Sequence, residues 1–342
     1  MEREITLTEM LAAREARASR QRELLEEYRR PLISFTLNIA GPEKNGPVLR
    51  RAFREGLARL ETALSAAGLP CIHKEELDWH TGCEALWVVS GQGKMIKELC
   101  ARIEDEDALG RLFDLDVLEP DGKRWDREAL GLPTRRCLIC GRPGKSCASR
   151  RLHPLEEIQR KTRAILRDHF AAQDQQYLAA QAARALMYEV CATPKPGLVD
   201  RHNNGSHRDM DIFTFLDSTI SLLPYFRQAV EIGQKTAGEN PAATFSRLQE
   251  AGIRAEQEML RATGGVNTHK GAIFSLGCLL GAAGRLWTPA GICREPERLL
   301  KGCRIMAGPV TDKFFPVSRG RLPTPPESVS IWKQACGGCG VK

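Results

Sequence analysis

No run of apolar residues in this 342-residue sequence reaches the roughly 18–20 needed to cross a bilayer. A helical membrane span is therefore not expected. The opening MEREITLTEML is charged and lacks the apolar stretch of a signal peptide. The two absences predict a cytoplasmic chain whose twelve cysteines stay reduced. Long basic blocks are also missing. The net charge of +7 is spread along the chain, which argues against nucleic acid and a membrane as partners. It suits an anionic small molecule or an acidic protein instead. Internal repeats are absent. Hydrophobic residues at 42% are enough for packed cores, and the length exceeds one ordinary domain, so two are expected.

The pattern changes along the chain. Residues 6–30 read as one amphipathic helix, capped by Thr6 or Thr8 and stopped at Pro31. Ile33, Phe35, Leu37 and Ile39 then alternate with polar residues, as in a strand. A helix near 46–66, strands at 84–91 and 111–120 and a helix near 93–107 complete an α+β first part. From about Leu155 onward the apolar residues recur at helical spacing, Ala is frequent and β-branched runs are rare. This second part is expected to be all-α, with chemistry on its polar loops.

Three constellations carry possible chemistry. RLFDLDVL puts Asp114 and Asp116 on one face of a strand, with Phe113, Leu115 and Val117 facing a core. Two adjacent carboxylates repel each other unless a cation sits between them, and Mg²⁺ bridging to phosphates meets that need. The alternative is a solvated strand face. Cys137, Cys140, Cys147 and His153 have the spacing of a Cys₃His zinc knuckle, structural rather than catalytic. The alternative is a turn of reduced cysteines.

The third is TPKPGLVDRHNNGSHRDMD, from Thr193 to Asp211, with three aspartates, two histidines, two arginines and a lysine in nineteen residues. A new helix is expected to start near Ile212, and its N-terminus favours phosphate. Lys195, Arg201, His207 and Arg208 are candidates for phosphate oxygens. Asp200, Asp209 and Asp211 are candidates for holding Mg²⁺ or acting as a base. A second loop, TGGVNTHKGAIFSLG, adds His269 and Lys270 facing an anion. The alternative reading is ordinary helix connections.

These residues resemble two families. TLTEMLAAREARASRQ, SFTLNIAGPEKNGP, TGCEALWVV, GRLFDLDVL and RRCLIC with Cys147 and His153 resemble the apo-citrate lyase phosphoribosyl-dephospho-CoA transferases over residues 1–160. Ala40 stands where that family leads one to expect proline. TPKPGLVDRHNNGSHRDMD and GGVNTHKGAIFSLG resemble triphosphoribosyl-dephospho-CoA synthases, over residues 161–316. The second resemblance implies synthesis of 2′-(5″-triphosphoribosyl)-3′-dephospho-CoA from ATP and 3′-dephospho-CoA, with release of adenine. The first implies transfer of that group to a serine of the citrate lyase acyl carrier protein, with release of diphosphate. Multiply phosphorylated substrates would account for carboxylates beside basic residues in both parts.

The tail from 317 to 342 does not fit. It is rich in Gly and Pro, so disorder is expected. Codons for Glu327 to Lys342 can be chosen so that the frame starting at each third base reads GERLYLEAGVRGVRGE, with Trp332-Lys333 forcing the second glutamate. That block resembles the synthase family, so a frameshift between about Lys313 and Pro323 is expected. The synthase-like domain would then be incomplete, with no adenine release expected from it, and the transferase intact; a chain active in both reactions is the alternative.

Overall fold

The computed structural model describes residues 4–314. The tail at 317–342, with its expected disorder and frameshift, lies outside them. The chain divides into two compact units between His169 and Phe170, nine residues beyond the expected boundary.

The first unit opens with α1 (Leu7–Tyr28). Thr6 caps it, accepting from the Glu9 N–H, while the Glu9 side chain returns to the Thr6 N–H. β1 (Leu32–Leu37), α2 (Pro47–Ala66), β2 (Cys71–Trp79), β3 (Gly82–Val89), α3 (Gly93–Asp105), β4 (Phe113–Leu118) and β5 (Arg124–Trp125) follow. The strands form one sheet in the order β2-β3-β1-β4-β5, and all its pairings are antiparallel.

The two faces of the sheet differ. On one, Ile33, Phe35, Phe113, Leu115 and Val117 are fully buried. There Phe35 stacks on Phe53 of α2 at 4.7 Å and meets Phe113 edge-on at 5.5 Å. Gly56 of α2 allows this close packing, since a Cβ there would lie 2.4 Å from Phe35 Cζ. The other face is covered by α1 and is graded along its length. At one end Leu24 and Leu25 pack on Leu32, Leu86, Val88 and Leu118. At the other, α1 presents Arg14, Arg17 and Gln21 to a polar strip of Ser34, Thr36, Asp114 and Asp116.

β5 pairs only with Val117 and Leu118, which leaves the outer edge of Leu115 to side chains of α3. Buried Glu104 accepts from the Leu115 N–H at 2.9 Å, and buried Lys97 donates to its carbonyl at 2.6 Å. Arg127 closes the group with 2.9 Å to Glu104. A buried carboxylate and ammonium are tolerable here because each has a full-strength partner.

After α4 (Gly144–Ser149), the 37-residue α5 (Leu155–Cys191) runs from the first unit into the second. The second unit adds α6 (Ile212–Lys235), α7 (Pro241–Ala262), α8 (Lys270–Arg285) and α9 (Pro296–Phe314). The described residues of this unit are all-helical, as expected. Leu222, Phe226, Leu248, Met259 and Ile273 are fully buried in its core, against Ala179 and Leu186 of α5.

Candidate functional site

Antiparallel pairing sets Asp114 opposite Thr36 and Asp116 opposite Ser34. Both carboxylates are half-buried, while Phe113, Leu115 and Val117 are fully buried, so the alternation read from the sequence holds. Burial first, and the neighbouring Asp116 charge second, push the Asp114 carboxyl above its ordinary value, against the pull of Arg135.

Asp114 lines three cavities of this unit. The largest, about 1170 Å³, is also lined by Asp116, Arg111, Arg124, Arg135 and Lys97. Its volume suits a large ligand rather than a metabolite of a few atoms. Arg124 Nη1 is 3.1 Å from Asp116 and Arg135 Nη1 is 3.5 Å from Asp114. Arg14 and Arg17 line the smaller cavities, with Arg17 held 2.6 Å from buried Glu84. Sequence reading missed these cations. A signal for the α1 members was present, because positions 14, 17 and 21 fall on one face of a helix.

Cys137, Cys140, Cys147 and His153 come together as the spacing implied. Their four ligand atoms all lie within 4.8 Å of one another. Cys140 Sγ is 3.4 Å from Cys147 Sγ and 3.3 Å from His153 Nε2. The hydrogen bond with the Cys140 sulfur first, and burial second, push the Cys147 thiol up to about 11. These residues also line the large cavity, through Cys137, Cys147 and His153.

In the second unit the charged loop is less convergent. Asp200 is buried and accepts from the backbone N–H groups of His202, Asn203 and Lys195 at 2.8, 3.0 and 3.2 Å. The His202 N–H first, with those of Asn203 and Lys195, holds its carboxyl below the usual range. Asp211 caps α6, accepting from the Thr214 N–H and hydroxyl at 2.9 and 2.8 Å. Both aspartates are thus engaged in shaping the loop. Asp209, Arg201 and Arg208 are exposed on it, and His207 is half-buried. Among the described residues, Asp200, Asp209 and Asp211 do not form a three-ligand metal group. Lys195 pairs with Glu189 at 2.9 Å and Lys270 with Glu256 at 3.0 Å.

His269 is buried just before α8, its Nδ1 2.7 Å from Ser218 Oγ and its ring edge-on to Phe215. The Thr268 hydroxyl donates to Ser218 at 2.6 Å, which leaves the Ser218 proton for His269 Nδ1. The imidazole proton then sits on Nε2, an atom buried without a hydrogen-bond partner. Burial lowers the His269 pKa to about 4, only partly offset by Glu189. The ring is a neutral donor at physiological pH.

Comparison with known proteins divides the chain at the same place. Residues 5–169 match the family described as apo-citrate lyase phosphoribosyl-dephospho-CoA transferase. Residues 175–313 match the family described as ATP:dephospho-CoA triphosphoribosyl transferase. The protein called CitXG of Leuconostoc mesenteroides subsp. cremoris is 37% identical over 287 residues, which are 81% of this chain and 61% of that protein. The CitXG of Haemophilus influenzae is 37% identical over 282 residues, 82% of this chain and 60% of that protein. A probable 2-(5″-triphosphoribosyl)-3′-dephosphocoenzyme-A synthase of Streptococcus pyogenes serotype M28 is 44% identical over 153 residues, 43% of this chain and 51% of that protein. The chain therefore spans about three-fifths of the fused relatives and half of the single synthase. Among the described residues no helix is long and apolar enough to cross a membrane.

Proposed function

Because this chain joins a domain of the apo-citrate lyase phosphoribosyl-dephospho-CoA transferase family to one of the ATP:dephospho-CoA triphosphoribosyl transferase family, we propose that its first unit attaches a prosthetic group. The group comes from 2′-(5″-triphosphoribosyl)-3′-dephospho-CoA, and the acceptor is a serine of the citrate lyase acyl carrier protein. Diphosphate is the leaving group. The observation that carries this reading is Asp114 and Asp116 side by side in the lining of a large cavity that Arg111, Arg124 and Arg135 also line.

The chemistry follows from charge. The attacking serine oxygen displaces diphosphate from the phosphorus nearest the ribose, and negative charge builds on the departing oxygens. Arg14, Arg17, Arg111, Arg124 and Arg135 line the cavities that Asp114 shares and are placed to meet the phosphates, and guanidinium forks suit phosphate oxygens. The raised Asp114 carboxyl and its Asp116 neighbour fit Mg²⁺, which when bound would offset charge on the leaving diphosphate. Arg124 would then be released from Asp116 to the phosphates. Lys97 and Glu104 pin the strand that holds both aspartates.

For the second unit the proposal is synthesis of that same precursor from ATP and 3′-dephospho-CoA, with adenine as the leaving group. The match over 175–313 favours it. Lys195, Arg201, His207, Arg208 and Lys270 are the candidates for phosphate, and His269 for a neutral hydrogen-bond donor. Asp209 is the loop aspartate left exposed for Mg²⁺. Asp200 and Asp211 hold the loop in shape around it. Release of adenine from ATP and dephospho-CoA by the purified chain tests this half, and Asp209→Asn with Lys270→Met should abolish it. Adenine release unaffected by both changes would place the site elsewhere.

A further inference from the structure

The segment around the four clustered ligands buries almost none of its residues. Between Asp121 and Lys161, Cys147 is the one buried residue among those whose burial is described. Regular structure there amounts to the two residues of β5, the six-residue α4 and the first turns of α5. A stretch with so little apolar burial does not fold on hydrophobic energy alone. It nevertheless forms a defined turn at Cys137–Gly141, with the Gly141 N–H donating to the Cys137 carbonyl at 3.1 Å and the Ile139 N–H reaching Cys137 Sγ at 3.5 Å. Gly141 has a φ of +70°, a left-handed position that favours glycine.

We propose that Cys137, Cys140, Cys147 and His153 bind one Zn²⁺ as a structural ion, and that this ion seats Arg135 against Asp114. Zinc–sulfur bonds of about 2.3 Å imply tetrahedral edges of about 3.8 Å between sulfurs, close to the 3.4 Å between Cys140 and Cys147. Three thiolates and an imidazole are a donor set suited to zinc. His153 has the outer partner that zinc-bound histidines generally use, because its Nδ1 lies 3.4 Å from Glu157. That contact directs Nε2 at the sulfurs. Four protein ligands close the site to substrate, so its role is structural.

The link to Asp114 runs through the backbone beside Cys137. The Gly144 N–H donates to the Arg135 carbonyl at 2.8 Å, and Arg136 bridges to Pro143. The Arg135 side chain then donates to the Phe113 carbonyl at 2.5 Å and to Asp114 at 3.5 Å. Fixing Cys137 and Cys147 fixes both ends of this connection. Arg135 is a positioning residue for Asp114 and, under the function proposed above, a phosphate ligand. This second half of the inference rests on that function, whereas the metal site does not.

Metal analysis of the full chain, purified without chelator, is expected to give one zinc per chain. Cobalt exchanged into it should show the visible absorption of tetrahedral cobalt–thiolate. His153→Cys should keep the metal and His153→Ala should lose it, a pair that separates ligation from general misfolding. Absence of zinc, together with no cobalt–thiolate spectrum, overturns the site. Diphosphate binding by calorimetry then tests the positioning. Stripping the zinc should weaken it about tenfold, restoring zinc should recover it, and stripping Arg135→Ala should cost nothing further. Additive losses would overturn the link to Arg135. Full zinc occupancy in a chain that transfers nothing would instead count against the proposed function and leave the metal site standing.

Discussion

Replacing His269 with Asn should remove a pH dependence from the stability of the second unit. The buried ring holds its proton only below about 4, whereas an unfolded histidine titrates near 6.5. As pH falls through that window, the unfolded chain takes up a proton that the folded unit refuses. Stability therefore declines from about pH 6.5 and levels off for this group below about 4. The gap between the two values, at about 1.36 kcal/mol per pH unit, comes to about 3 kcal/mol. Asn can still accept from Ser218, and it carries no titrating group. Asp200 and Asp211, both with lowered pKa values, lose their contributions at lower pH, and they do so equally in both proteins. Urea unfolding of the full chain, followed by helical circular dichroism in steps between pH 7 and 4, gives the comparison. Wild type is expected to lose about 3 kcal/mol more than His269→Asn over that range. Parallel losses, or a ring titrating near 6.5 by NMR, would refute the burial argument.

Two predictions concern the first unit's scaffold. Arg127→Met leaves Glu104, which is 2% exposed, without its 2.9 Å partner. A loss of about 3–5 kcal/mol in denaturant unfolding is expected, and Arg127→Met with Glu104→Gln together should recover part of it. Gly56→Ala places a methyl 2.4 Å from Phe35 Cζ and 3.2 Å from Phe113 Cζ, so overpacking of about 1–3 kcal/mol should appear as a lower Tm.

The sequence was most legible where one physical signal dominated. Alternation in β4 placed Asp114 and Asp116 on one face, and Thr6 and Pro31 bounded the first helix. The cysteine spacing foretold a cluster that the fold brings together. β2 was missed because CIHKEELDW is an edge strand with polar residues on both faces, the charged pattern that protects an edge from stray pairing. The helical spacing from Leu155 onward continues through α5, and nothing between Leu155 and Cys191 breaks it. The arginines around Asp114 come from α1, the turn before β4, β5 and the loop before Cys137, and only tertiary packing unites them. Charge density in the 193–211 loop was visible, but not that Asp200 and Asp211 would be taken up by backbone N–H groups and a helix cap.

Asp114 and Asp116 carry the proposed transfer most directly. Purified full chain, apo-acyl carrier protein, Mg²⁺ and 2′-(5″-triphosphoribosyl)-3′-dephospho-CoA should yield one diphosphate per carrier modified. Asp114→Asn and Asp116→Asn should each slow that release by about 100-fold, a barrier increase of about 3 kcal/mol, with the fold unchanged by circular dichroism. Diphosphate release within threefold of wild type in both variants would contradict the placement of the reaction at this pair.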